Sequence, residues 1–130
     1  RLCSNVLAQQ VVQTSLGGTQ SVDELLLPGG RIYEQREFIY KAMNEIPGIS
    51  AVKPKAAFYI FPKIDTAMYN IHDDEQFVLD FLKQEKVMLV HGRGFNWKDP
   101  DHFRIVYMPR VDELAQIQEK MTRFLSKYRQ

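Results

Sequence analysis

Three short strand-like runs punctuate a chain otherwise patterned for helices, and their order limits the folds available. They are Ala56-Ala57-Phe58-Tyr59-Ile60-Phe61-Pro62, Val87-Met88-Leu89-Val90-His91-Gly92-Arg93-Gly94-Phe95 and His102-Phe103-Arg104-Ile105-Val106-Tyr107. The whole chain reads helix, helix, strand, helix, strand, strand, helix. Helices and strands intermingle without strict alternation. This predicts an α/β sandwich in which a small, largely antiparallel sheet of about three strands packs against helices. A chain of 130 residues can bury one such core without staples.

The helices follow from apolar spacing and stop signals. Residues 2–16 read as a helix, with Leu2, Val6, Leu7, Val11 and Leu16 at rough helical intervals and Gly17-Gly18 as the stop. Ser21 and Glu24 have the spacing of a capping box before a short turn through Leu27. Arg31 to Ile46 forms the next helix, with Ile32, Phe38, Ile39, Met43 and Ile46 inward and Tyr33 and Tyr40 at the edge; Pro47-Gly48 ends it. Asp73 and Gln76 cap a helix reaching Gln84, with Phe77, Val78, Phe81 and Leu82 inward. The last helix carries Val111, Leu114, Ile117, Met121, Phe124, Leu125 and Tyr128 on one face, and its terminal charges suit the helix dipole. Ala56–Phe61, Lys86–Val90 and Phe103–Tyr107 are the predicted strands, with Pro54 leading into the first.

Composition excludes some functions. Seventeen basic and sixteen acidic residues leave a net charge of +1, which does not suggest a nucleic-acid or anionic-membrane partner. No apolar run approaches the length of a membrane span. The single cysteine, Cys3, allows no intrachain disulfide and reads as a small apolar filler, consistent with a cytoplasmic setting.

Arg104 is the residue with the clearest chemical meaning. Strand alternation places His102, Arg104 and Val106 on one face and Phe103, Ile105 and Tyr107 on the other. A guanidinium among apolar neighbours needs a planar acceptor, and a carboxylate matches its fork through two parallel hydrogen bonds. A structural salt bridge or an exposed edge position would explain the same residue. Gly92-Arg93-Gly94 lacks the pattern of a phosphate cradle and reads as a turn. His72-Asp73-Asp74-Glu75 holds metal-capable groups, but an acidic helix start explains it with less. His72, His91 and His102 have no nucleophile motif beside them.

In this order and spacing the three runs resemble the C-terminal small domain of fold-type I, pyridoxal-phosphate-dependent aminotransferases. Lys53-Pro54-Lys55-Ala56-Ala57-Phe58-Tyr59 is similar to the family's Lys-Pro-x-Gly-Ala-Phe-Tyr, with Ala56 where glycine is usual. Gly92 and Phe95 match its Pro-Gly-Ser/Thr-x-Phe, while His91 departs from proline. The helix with Ser4-Asn5-Val6 and Gln9, together with Asn44-Glu45-Ile46-Pro47-Gly48, Asn70-Ile71-His72-Asp73-Asp74 and Phe95-Asn96-Trp97, resembles the bacterial alanine (glutamate–pyruvate) branch.

The resemblance implies that Arg104 grips the substrate α-carboxylate. It implies that Ser4 and Asn5 approach the cofactor phosphate of a partner subunit in a homodimer; N-capping of the first helix is the alternative for both. None of the nine lysines has the context of a Schiff-base lysine, Ser126-Lys127 being the nearest look-alike. That lysine is expected in a missing large domain upstream of Arg1, so the chain reads as excised from a longer protein. Residues 1–30 then form an interdomain helix and linker, and residues 31–130 the small domain. Pyridoxal 5'-phosphate belongs to the full-length parent, with none expected on the fragment, which is expected to be inactive alone. The substrates the resemblance implies are an amino acid, alanine or glutamate, and a 2-oxo acid, 2-oxoglutarate or pyruvate. A carbon–sulfur lyase or a non-enzymatic regulatory module would share the small domain. Arg1–Leu27, deprived of the large domain, is expected to expose its apolar residues and to self-associate or disorder.

Overall fold

The computed structural model describes residues 4–130. Leu2 and Cys3 lie outside them. The first helix, α1, spans Val6–Gly17, and the backbone N–H of its capping Gly18 bonds to Ser15. Its apolar side chains are exposed, Leu7 by 77% and Leu16 by 71%. A short α2 follows at Asp23–Leu26. The expected Ser21–Glu24 capping box does not form: Val22 occupies the capping position, with helical dihedrals and no side-chain bond.

Helix α3 spans Arg31–Glu45 and buries Ile39, Ala42 and Met43 as its period dictates. It also buries Gln35, whose amide nitrogen donates to the carbonyls of Met108 at 2.8 Å and Pro109 at 2.5 Å. That bond ties α3 to the connection between the last strand and the last helix. Gly48, at φ 73°, turns the chain into β1 at Ile49–Ser50.

The strand expected at Ala56–Phe61 is reduced to β2, Tyr59–Ile60. Ala57 adopts a left-handed φ of 56°, a conformation that ends a ladder, and its carbonyl accepts the Tyr107 hydroxyl at 2.8 Å. Strand β3, Lys63–Ile64, pairs antiparallel with β1. A one-turn helix α4, Thr66–Tyr69, is capped by Asp65. Neither β1, β3 nor α4 had a periodic signal, because each is too short to show one.

Asp73 caps α5, Asp74–Glu85, by accepting from the N–H groups of Glu75 and Gln76. Phe77, Val78 and Phe81 face the core as expected, whereas Leu82 is 37% exposed. The strand expected at Lys86–Val90 shifts to β4, Val90–His91, because Lys86 at φ 58° closes α5 in the left-handed region. A 3-10 turn follows at Gly92–Phe95, then β5 at Phe103–Val106 and α6 at Val111–Lys127.

The central sheet has the order β2-β5-β4, antiparallel throughout, in line with the predicted architecture. A bridge between Lys63 and His102 joins it to the β1-β3 pair. One face of β5 enters the core with Phe103, Ile105 and Tyr107. Phe103 meets Phe77 of α5 at 5.7 Å, and Phe77 and Phe81 in turn meet Phe124 of α6. Leu114, Met121, Phe124 and Leu125 bury the α6 stripe, each contributing about 1.5–3 kcal/mol of transfer free energy. Val111, at the start of that stripe, stays 37% exposed.

Candidate functional site

Alternation along β5 turns Arg104 away from the core, onto the open face of the sheet. Its backbone is held on both sides: Arg104 pairs with Val90 in β4, and its neighbour Ile105 pairs with Ile60 in β2. The guanidinium lies 4.6 Å from the Tyr59 ring centre and 4.2 Å from that of Phe95. Its Nε is buried and has no hydrogen-bond partner among the described residues. No described carboxylate reaches it as an ion pair. The structural salt bridge that could have explained this arginine is therefore not formed among the described residues. A half-buried cation with no described acid beside it suits a planar anion arriving from outside.

The rest of this face is aromatic. His102 stacks on Phe61 at 4.8 Å and meets Trp97 at 4.3 Å; Phe61 meets Phe95 edge-on at 6.2 Å. Asp101 organises the group. It bonds His102 Nδ1 at 2.7 Å, accepts the Trp97 indole N–H at 2.9 Å and pairs with Lys63 at 3.3 Å. Burial pushes the Asp101 carboxyl up, but the bonds from His102, Trp97 and Lys63 outweigh it and hold it below its ordinary value.

The turn that carries Phe95 is anchored twice. Gly92 donates to the His102 carbonyl at 2.8 Å, so closely that a Cβ on Gly92 would stand 2.7 Å from that oxygen. Arg93 then reaches α5: its backbone N–H donates to Asp74 at 2.8 Å, and its guanidinium binds both Asp74 and Asp73. The acidic run and the glycine turn, read separately in the sequence, are thus two halves of one ion-pair cluster. Gly92→Ala should cost about 1–3 kcal/mol, since the obstacle is backbone. Thermal melting of the variant checks this; an unchanged transition would mean that the turn relaxes freely.

Ser4 and Asn5 are exposed at the start of α1. The Asn5 side-chain oxygen accepts from Leu7 N at 2.9 Å and Ala8 N at 3.3 Å, which is the N-cap role. The Ser4 hydroxyl and the Asn5 amide nitrogen bond to no other described residue. No described hydrogen bond joins them to the Arg104 face.

Sequence reasoning found Arg104 but not its two rings. Phe95 was visible only as a motif residue, and Tyr59 only as a motif residue within a strand run. The available signal was alternation, which puts Tyr59 and Phe61 of the first run on the same side of the chain.

No protein-family model matches the chain. It is 58% identical over its whole length to the glutamate-pyruvate aminotransferase AlaA of Haemophilus influenzae, spanning 32% of that protein. The crystal structure of an aminotransferase from Escherichia coli superposes with a TM-score of 0.92 at 58% identity, over 100% of this chain and 32% of the other. An alanine aminotransferase from Pyrococcus furiosus gives 0.82 at 38% identity, over 98% of this chain and 31% of the other. The fold and the sequence similarity define an aminotransferase small domain. The chain belongs to the aminotransferase family, as the C-terminal small-domain portion, and spans about a third of the length of these relatives.

Proposed function

We propose that the protein to which this chain belongs is a pyridoxal-phosphate-dependent aminotransferase. It moves an amino group between alanine or glutamate and a 2-oxo acid, either 2-oxoglutarate or pyruvate. In this reading it acts as a cytoplasmic homodimer, and residues 1–30 link the small domain of residues 31–130 to the remainder. The similarity to a glutamate-pyruvate aminotransferase and an alanine aminotransferase supports the substrate class. The observation that carries the role of this chain is Arg104, with no described acid beside it and its guanidinium against two aromatic rings.

When bound, the cofactor supplies an electron sink that makes the substrate Cα–H acidic. The described residues that suit the edge of such a group are the Ser4 hydroxyl and the Asn5 amide nitrogen, two outward donors of the kind a phosphate accepts. Arg104 binds the α-carboxylate through its fork and so fixes the orientation of the Cα substituents. The ring face of Tyr59, Phe61, Phe95 and Trp97 excludes water when it closes on the substrate, which strengthens that ion pair.

Purified full-length protein given alanine and 2-oxoglutarate should form pyruvate and glutamate in equal amounts. Failure to form glutamate from this pair, with cystathionine instead split to a thiol, ammonia and an oxo acid, would indicate a carbon–sulfur lyase and overturn the proposal.

A further inference from the structure

We propose that Tyr59 and Phe95 form a clamp that pre-orients Arg104, which makes both rings positioning residues for the substrate carboxylate. The inference rests on the reading of Arg104 as the carboxylate anchor. An arginine side chain has many rotamers, and binding an anion bidentately requires it to surrender nearly all of them. Such arginines are commonly held by a neighbouring carboxylate, but an acid here would compete with the substrate. Among the described residues Arg104 has no such acid. The contacts that orient its guanidinium are the two rings, at 4.6 and 4.2 Å.

Stacking on aromatic faces engages the flat side of a guanidinium, whereas a carboxylate binds along its N–H edge. Neither Tyr59 nor Phe95 takes a hydrogen bond from Arg104 among the described residues, so the rings restrict the cation and leave its donors to a carboxylate. They also come from elements with independent support. Tyr59 sits in β2, paired with Val106. Phe95 ends the turn anchored by Gly92 and by the bonds of Arg93 to Asp74. Both rings are substantially exposed, Tyr59 by 39% and Phe95 by 45%, so core packing does not account for them. The clamp explains why two large apolar groups stand at the surface beside an unpaired cation.

The test uses the full-length protein with Phe95→Leu, Tyr59→Leu and Phe95→Tyr. Pre-orientation contributes to binding in the ground and transition states alike, so its loss should raise KM and spare kcat. Each leucine variant should raise KM about tenfold for alanine, glutamate and both oxo acids, with kcat changed by less than about twofold. Phe95→Tyr, which keeps the ring, should recover most of the loss. In an Arg104→Ala background, Phe95→Leu should add no further loss.

Lower kcat and melting temperature at unchanged KM would make the rings merely structural and overturn the clamp. A KM change confined to one substrate side chain would mean that the rings touch the substrate instead, and would overturn it equally. An additive loss on top of Arg104→Ala would do the same. The two readings fail separately: if Arg104→Ala is impaired and Phe95→Leu is not, the clamp alone falls. If Arg104→Ala keeps its KM, the anchor falls and the clamp with it.

Discussion

Replacing Arg104 with alanine in the full-length protein should cut kcat/KM by about 10²–10³-fold or more. The estimate is that for truncating one partner of a desolvated charge pair, about 3–5 kcal/mol, at 1.36 kcal/mol per decade of rate. The loss should appear with the amino acid and with the oxo acid, because both present the same α-carboxylate. Arg104→Lys should recover little of it, since an ammonium is a point charge without the planar fork. Stability should be nearly unchanged, because no described acid depends on Arg104 for charge balance. A structural role predicts the opposite pattern, with a lower melting temperature and near-normal kinetics in the folded fraction. Kinetics and melting of both variants, measured together, decide the matter; near-normal kcat/KM in both would remove Arg104 from the site.

The largest stability effect should come from Asp74. It is 1% exposed, and its partner is the backbone and side chain of Arg93 across the α5 interface. Burial pushes this carboxyl up, but the Arg93 hydrogen bonds and charge outweigh it and hold it below its ordinary value. A carboxyl depressed in the folded state binds fewer protons there than in the unfolded chain. Its contribution is therefore present above the unfolded aspartate value of about 3.9 and drains away as the pH falls through the folded value.

Asp74→Ala should cost about 2–4 kcal/mol near neutral pH, on the order of 10 °C in melting temperature. Below that range the gap to the parent should narrow. Arg93→Met leaves the Asp74 carboxylate buried without its counter-charge, so the acid sensitivity from this site should weaken or reverse. Parallel curves for parent and Asp74→Ala from pH 7 to pH 3 would show that the pair does not titrate with folding. Because Asp74 holds the turn carrying Phe95, the alanine variant should also raise KM in the full-length protein.

How much was legible depended on the length of each signal. The α6 stripe repeats over many turns, and Asp73 announces α5 with a side chain that caps it. The alternation of β5 is also intact in the structure, with Phe103, Ile105 and Tyr107 inward and Arg104 outward. In the runs at 56–61 and 86–90 only Ile60 and Leu89 are buried, and neither run pairs along its length. Apolar composition does not specify a ladder, which needs a partner strand at the right distance. Left-handed turns at Ala57 and Lys86 cut both ladders short, and neither residue type advertises that conformation.

The sequence by itself determined the interspersed helix and strand order, the face on which Arg104 stands and the resemblance that assigns it a carboxylate. These depend on periodicity and on local caps, which act over a few residues. Only the tertiary structure decided what surrounds that arginine. The pairing of β2 with β5 brings up Tyr59, and the junction of Arg93 with Asp74 sets the turn that delivers Phe95. Those contacts join residues far apart in the chain, where a side chain's role depends on what folding places opposite it.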